Sequence, residues 1–297
     1  MRYLITGSSG FIGRHRVEYL MSLANEVIAV GRSKTSNPLA SRNFFVNDIA
    51  DRDSLLEVIA TTKPDRIEHF ASQAIVTTSR NDPYATYRTN VLGTVSVLET
   101  AKKLNIPVII FTTDKIYGDI PKAKESDYIR ASYGAYETSK AVQDLIAQSY
   151  QMQTENVSIV RSCNVFGRND PNKRIIPNTI NALRRNVAPL IYENIKGVRQ
   201  YIYIQDLMQA LDIVWKSAIG IYNVGTDMQL SQKEVVETIV RIWNQKFETS
   251  IAPIYTVGTE YNELIEQFLY YDKLKEQGYV PNYDFERGIQ EILSGES

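Results

Sequence analysis

Tyr136 and Lys140, in the run Tyr136-Glu137-Thr138-Ser139-Lys140, stand four residues apart and put a phenol and an ammonium on one face of a helix. A phenol titrates at about 10 in water, so it works as a base near neutrality only when a nearby cation stabilises the phenolate, and Lys140 is placed to do so. Such a pair arises readily by chance in a chain with 19 tyrosines. What gives it weight is Thr112-Thr113-Asp114 upstream, which closes the apolar run PVIIF at the carboxyl end of a strand, where open α/β sheets bind ligands. Thr113 can donate to the oxygen that Tyr136 deprotonates. At the other end of the chain Gly7, Gly10 and Gly13, spaced G-x-x-G-x-x-G, follow the apolar strand Tyr3–Ile5 and open a helix carrying Val17 and Leu20. Without Cβ atoms the turn can be tight, the backbone can approach a pyrophosphate, and the helix N-terminus offers its N–H groups to the charge.

These residues need a frame, and the apolar pattern supplies one. RYLIT, EVIAV, RIEHFA, PVIIFTT and NVSIVRSCN read as strands; between them lie a helix to about Leu23 and the helical patterns TNVLGTVSVLETAKKL and YETSKAVQDLIAQSY. This alternation predicts an α/β protein with a doubly wound parallel sheet. After Asn164 the rhythm breaks into FGRNDPNKRIIPN, which reads as a loop, and it resumes at RQYIYIQDLMQALDIVW; FERGIQEIL reads as a closing amphipathic helix. The expected division is a dinucleotide-binding domain of residues 1–165 plus about 199–225, and a smaller α/β substrate lobe of 166–198 plus 226–297. The second strand ends in Gly31-Arg32-Ser33-Lys34 without the acidic residue that commonly takes the ribose hydroxyls of NAD. A guanidinium, a hydroxyl and an ammonium suit a ribose 2′-phosphate, which favours NADP, with NAD the alternative. Asp48 follows the third strand as a candidate adenine-edge contact, and His69 reads as a packed strand residue. Arg16 falls where a helix on a sheet ordinarily offers an apolar residue, and nothing in the sequence accounts for it.

Composition narrows the alternatives. The chain has 297 residues, 43% hydrophobic and 23% charged, and a formal net charge of -1 with both signs interspersed. No basic stripe is present to track a nucleic acid. One cysteine, Cys163, and two histidines, His15 and His69, argue against a disulfide and a metal centre. MRYLITGSSG enters a strand without a signal-peptide core, and no stretch approaches the roughly 20 apolar residues of a membrane helix. A cytoplasmic protein without a membrane partner is expected.

Eight separated pieces, in order and spacing, resemble the extended short-chain dehydrogenases of nucleotide-sugar metabolism, the epimerases and dehydratases. They are TGSSGFIG from Thr6, HFASQAIV from His69, DPYATYRTNVLGT from Asp82, FTTDKIYG from Phe111, YETSK from Tyr136, RSCNVFG from Arg161, RQYIYIQD from Arg199 and IYNVG from Ile221. The resemblance implies a Rossmann sheet of about seven strands, a homodimer, and a tightly held NADP or NAD regenerated within each turnover. It assigns the cofactor to Gly7, Ser9, Gly10, Phe11, Ile12, Gly13, Arg32, Ser33, Asp48, Ile49, Phe70, Ala71 and Ser72, with Tyr136 and Lys140. The nucleotide-sugar substrate falls to Tyr117, Asn164, Arg174 and Arg199, the last on the diphosphate.

Within that family the residues after Thr113 separate the branches. Simple C4 epimerases usually have small hydroxyl or alanine residues there, most 4,6-dehydratases have Asp followed by Glu, and the CDP-glucose and inverting UDP-GlcNAc dehydratases have Asp followed by Lys. Asp114-Lys115 is similar to the last group. RIIPN and NVFG also resemble the CDP-glucose branch, although this chain is shorter, and Arg32 resembles the NADP-using GDP-mannose dehydratases. The implied reaction is a 4,6-dehydration, with C4 epimerisation or 4-ketone reduction of a nucleotide sugar on the same scaffold as the alternative. Tyr136 takes the C4 hydroxyl proton as hydride leaves C4, the 4-ketone acidifies C5, Asp114 protonates the departing C6 hydroxyl, and hydride returns to C6. Lys115 is either the C5 base or a cation against the enolate. Many relatives carry a second arginine before the position of Asp272; NELIEQFLYYD has none, which leaves Arg174 or fewer cations for the diphosphate.

Overall fold

The structure, a computed structural model, describes residues 1–32, 43–118, 120–130, 134–171, 174–258 and 266–295. The chain begins with β1 (Arg2–Thr6), α1 (Phe11–Ser22), β2 (Glu26–Gly31), β3 (Phe44–Val46), α2 (Arg52–Thr62) and β4 (Arg66–His69). Then come α3 (Val76–Asn81), α4 (Pro83–Tyr87), a π turn (Arg88–Leu92), α5 (Gly93–Leu104), β5 (Val108–Thr113) and a 3-10 turn (Asp114–Tyr117). It continues through β6 (Lys122–Ala123), α6 (Ala135–Thr154), β7 (Val157–Ser162), β8 (Asn164–Phe166), α7 (Ile175–Arg184), β9 (Leu190–Tyr192) and β10 (Val198–Tyr203). The last elements are α8 (Ile204–Lys216), β11 (Ile221–Val224), β12 (Gln229–Ser231), α9 (Gln232–Phe247), β13 (Ile254–Thr256), β14 (Glu266–Leu269), α10 (Asp272–Lys275) and α11 (Phe285–Ser294). Two compact units result. Met1–Gly118, Glu125–Ser162 and Leu211–Asn223 form the first; Asp119–Lys124, Cys163–Ala210 and Val224–Ser297 form the second.

The first unit is built on the expected seven-stranded sheet, in the order β11-β7-β5-β4-β1-β2-β3, with β7 through β3 parallel. Alternation along β1 explains why both faces are covered. Leu4 joins Ile28, Ile67, Val108 and Ile159 against Leu55 and Ile59 of α2, Val97 and Leu98 of α5, and Ala147 of α6. Tyr3 and Ile5 face the other way, onto Val17 and Leu20 of α1. From β1 the chain winds first to β2 and β3 and then, through α2, back across to β4. The carboxyl ends of β1 and β4 therefore flank a point where the winding reverses, the place such sheets reserve for ligands.

Arg16 now has its account. It is fully buried on the α1 face, with Nη2 2.8 Å from Glu68 Oε1 of β4 and 2.8 Å from Asp212 Oδ1 of α8. Its Nε reaches both Glu68 oxygens at 3.1 and 2.9 Å. Trp215 Nε1 donates to Glu68 Oε1 at 2.6 Å, and the Tyr19 hydroxyl donates to Asp212 Oδ2 at 2.9 Å. Burial works against the guanidinium, but the two carboxylates outweigh it and hold its pKa above the ordinary value. The partners are distant in sequence, which is why Arg16 looked misplaced.

In the second unit, β12, β10, β14 and β6 form a sheet in that order, with β8 also pairing β10. The segment FGRNDPNKRIIPN, expected as a loop, supplies β8's last residue and ends as the first turn of α7. Pro177 sits in that turn, where the N–H it lacks would have no intrahelical partner. The expected closing helix is α11, with Phe285, Ile289, Ile292 and Leu293 on its buried face. No helix of the described residues is long and apolar enough to cross a membrane.

Arg16→Met should lower stability by roughly 3–5 kcal/mol, because two carboxylates lose their buried cation. Adding Glu68→Gln should recover part of the loss. Urea denaturation checks both; an unchanged midpoint for Arg16→Met would show that the cluster contributes no stability.

Candidate active site at the carboxyl edge of the sheet

The glycine turn is built for close approach. Gly7 has φ +67°, and a Cβ there would lie 2.6 Å from Ala71 N and 2.7 Å from Ala71 Cα. A Cβ on Gly13 would fall 2.3 Å from Gly7 O. The turn is closed by Gly10 N–H donating to Gly7 O at 2.9 Å, and the Ser8 hydroxyl ties it to Val30 O of β2 at 3.0 Å. Helix α1 begins at Phe11 with no side-chain cap on Gly10 and no acid in its first turn. Its first N–H groups are thus left for a ligand anion, which is the fit a dinucleotide's diphosphate requires. Ser9 lies against Gly31, where a Cβ would stand 2.7 Å from the Ser9 hydroxyl. Phe11 is buried edge-on to His15, and Ile12 is half-buried. At the end of β4, Phe70 packs on Phe111, Ala71 N–H donates to Thr6 Oγ1 at 3.3 Å, and the buried Ser72 hydroxyl has no partner among the described residues.

At the outer end of this edge, Arg32 is exposed beyond β2; Ser33 lies outside the described residues. Asp48 accepts from Ala50 N–H at 3.1 Å and from Arg88 Nη1 of the π turn at 2.6 Å. Partial burial would raise its pKa, but these donors, with Arg32 nearby, bring it below the usual carboxylate range. Ile49 is buried, and Gly93 lets it lie where a Cβ would come within 2.5 Å of its Cδ1. The π turn marks a local departure of the helix ladder of the kind often found beside functional sites.

The chemical residues gather on β5, the 3-10 turn and α6. Thr113 Oγ1 donates to Asp114 Oδ1 at 2.9 Å; Asp114 is buried, and its Oδ2 has no partner among the described residues. Lys115 is half-buried on the same turn. Tyr136 and Lys140 occupy the first two turns of α6. Lys140 is buried, donating to Phe111 O at 2.9 Å and to Gln143 Oε1. Burial pulls its pKa down to about 7, against the opposing charge of Asp144.

A polar thread that the sequence did not reveal leads inward from Lys140. Gln143 Nε2 donates to Thr94 Oγ1 at 2.9 Å, and the Thr94 hydroxyl donates to Asn90 O at 2.7 Å. With its proton so committed, Thr94 Oγ1 must accept from His69 Nε2, 3.0 Å away, so His69 Nδ1 accepts from Thr6 Oγ1 at 2.7 Å. Burial, reinforced by Lys140, pushes His69 down to about 3 and keeps it neutral. The expectation of a packed strand residue fits this saturated ring. Asn90 also ties α6 to the segment after β4, through Ser139 Oγ at 2.8 Å and Gln73 O at 3.1 Å. Only the TNVLGT run hinted at Asn90 and Thr94; Gln143 carried no signal.

The expected substrate residues are more dispersed. Tyr117 is buried, its hydroxyl accepting from Arg161 Nη1 at 2.7 Å and donating to Asn223 Oδ1 at 2.7 Å; both bonds orient the turn that carries Asp114. Asn164, Arg174 and Arg199 belong to the second unit. Asn164 donates to Gln200 O at 3.0 Å, Arg174 is exposed at the start of α7, and Arg199 Nη1 donates to Val198 O at 2.9 Å. Among the described residues no cluster of His, Cys, Asp and Glu could hold a metal ion.

Comparison with known proteins shows the family and the fold. The sequence profile of the NAD dependent epimerase/dehydratase family matches residues 3–225. The low-salt glycan biosynthesis protein Agl12 of Haloferax volcanii is 29% identical, over 98% of this chain and 96% of its own length. The dTDP-glucose 4,6-dehydratase of Escherichia coli is 28% identical, over 99% and 92%. Among solved structures, the Thermus thermophilus UDP-glucose 4-epimerase complex with NAD superposes with a TM-score of 0.89 at 26% identity, each chain covered in full.

Gly7→Ala should cost about 1–3 kcal/mol, since both its positive φ and the approach to Ala71 must be relieved. Thermal unfolding without ligand reads this directly, and a melting temperature equal to the wild type would mean that the turn relaxes freely.

Proposed function

This chain belongs to the NAD dependent epimerase/dehydratase family, and from that premise we propose that it is an NAD(P)-dependent nucleotide-sugar 4,6-dehydratase. It converts an NDP-hexose to an NDP-4-keto-6-deoxyhexose. The observation that carries the reading is Asp114: a buried carboxyl directly after Thr113, with one oxygen held by the Thr113 hydroxyl and the other without a partner among the described residues. Oxidising and re-reducing C4, as an epimerase does, needs no acid to expel a leaving group. Eliminating the C6 hydroxyl does.

The residues divide the work. The first turn of α1, the Gly7–Gly13 turn and the β4 end would hold the cofactor, with Arg32 favouring the 2′-phosphate of NADP over NAD. When bound, the nicotinamide supplies the acceptor for the C4 hydride and the donor that reduces C6. Tyr136 Oη takes the C4 hydroxyl proton, its phenolate stabilised by Lys140, and Thr113 Oγ1 orients that substrate oxygen. With the 4-ketone formed, the C5 proton becomes acidic; Lys115 serves as its base when neutral or stands as a cation against the enolate. Asp114 Oδ2 delivers a proton as the C6–O bond breaks, and water leaves. Arg199, Arg174, Asn164 and the Tyr117 turn serve the sugar nucleotide. In this reading the first unit is the dinucleotide domain, the second the substrate lobe, and the family resemblance supports a homodimer with tightly held cofactor.

The test is incubation with CDP-glucose, UDP-GlcNAc, dTDP-glucose, UDP-glucose and GDP-mannose separately in deuterated water. Loss of one water with deuterium gained at C5 is expected from one of them; unchanged mass with altered chromatography would instead identify an epimerase. Tyr136→Phe should lower the rate by about 10²–10⁴-fold while retaining cofactor. Asp114→Asn should oxidise C4 and then stall, with reduced nicotinamide accumulating in its absorbance band; an undiminished dehydration rate would remove Asp114 from the role of acid.

A further inference from the structure

One buried carboxylate near the site has no part in the scheme above. Asp144 lies one turn beyond Lys140 on α6 and is fully buried. Its Oδ2 accepts from Thr112 Oγ1 and from Arg161 Nε, each at 2.9 Å. Its Oδ1 accepts from Arg161 Nη2 at 2.7 Å and from Gln148 Nε2 at 2.8 Å. Thr112 immediately precedes Thr113. Arg161 of β7 spends its remaining nitrogen, Nη1, on the Tyr117 hydroxyl at 2.7 Å and Glu125 O at 3.1 Å, and Tyr117 closes the turn that Asp114 opens. A single carboxylate thus joins the strand end bearing Thr113, the turn bearing Asp114 and the helix bearing Tyr136 and Lys140.

An ion pair is not needed merely to fill such a space, since apolar groups of the same shape often serve as well. The group that does need a negative charge is Lys140, which donates to a carbonyl and an amide oxygen. The titratable groups around it are His69 from β4, kept neutral, and Tyr136 and Asp144 from its own helix; Arg161 from β7 faces Asp144, and Tyr117 from the 3-10 turn faces Arg161. We propose that Asp144 is a positioning residue for the reaction assigned above, aligning Thr113 and the Asp114 turn with the Tyr136–Lys140 face and standing as the counter-charge to Lys140 one turn along α6. The alignment part rests on the proposed reaction; the effect on Lys140 does not.

Removing the Asp144 charge lets burial push the Lys140 pKa further down, so a larger share is amine at neutral pH. The Tyr136 phenolate then loses its cation, its pKa rises, and the acid limb of C4 oxidation moves to higher pH. The experiment is a pH titration of full-length protein labelled with [13Cε]lysine, followed by NMR, with the Lys140 signal assigned from Lys140→Arg. Asp144→Asn should lower the Lys140 midpoint by about one pH unit or more, roughly tenfold in acid constant, and Asp144→Glu should largely restore it. With substrate, Asp144→Asn should lower kcat far more than it raises KM and shift the acid limb upward. Should the single variant fail to fold, Asp144→Asn with Arg161→Met removes both charges and leaves no stranded guanidinium; its Lys140 midpoint should fall likewise. An unmoved midpoint in the folded variant overturns the proposal. A moved midpoint in a protein that turns over no sugar nucleotide upholds the Asp144–Lys140 coupling and overturns only the reaction.

Discussion

An ammonium held out of water is the constraint around which the first unit is organised. Lys140 is buried at the carboxyl edge of a parallel sheet, and a buried charge is tolerable only where acceptors and a counter-charge surround it. Phe111 O, Gln143 and Asp144 meet that need, and each brings obligations of its own. Gln143 must satisfy its amide, which it does on Thr94; Thr94 in turn fixes the tautomer of His69 and, through it, the hydroxyl of Thr6. Thr6 is the last residue of β1, immediately before the glycine turn. The Tyr136–Lys140 helix and the glycine turn are thereby joined by hydrogen bonds through the sheet interior, which limits how far either can drift.

The sheet's winding decides that these groups meet at all. Parallel strands send all their carboxyl ends to one edge, and the reversal beside β1 opens a gap between the loops after β1 and β4. Glycine at positions 7 and 13 then removes the atoms that would close it. Charges inside the packing stiffen the same edge. Glu68, one residue before His69, is locked to Arg16 and Trp215, while Asp144 and Arg161 clamp β5 and β7 to α6. Each pair replaces apolar contact with directional bonds, and direction is what a site requires of its supports.

Family membership accounts for the scaffold on which Thr113, Tyr136 and Lys140 stand. The proposed choice of reaction rests on the short turn after β5. Asp114 is buried there with Oδ2 lacking a partner among the described residues, and Lys115 stands beside it in partial contact with water. In the proposed reaction, these two residues on a single turn separate moving a hydride out and back from expelling water in between.

Much of this was legible in the sequence, because its signals are local. Apolar runs at strand and helix spacing, three glycines at a strand end and a tyrosine four residues before a lysine each report on neighbours within a turn or two of chain, and all of them predicted elements that formed. The Pro177 turn of α7 was misread because a proline in a first helical turn looks, in sequence alone, like one in a loop. What only the tertiary structure decided were the partners of buried charges: Arg16 with Glu68 and Asp212, Asp144 with Thr112 and Arg161, Lys140 with Phe111 O. The members of each set lie on separate strands and helices, and they acquire one another only when the sheet is assembled. A residue's pattern records which face it occupies, whereas the energy of a buried charge depends on what stands opposite, and that is set by topology.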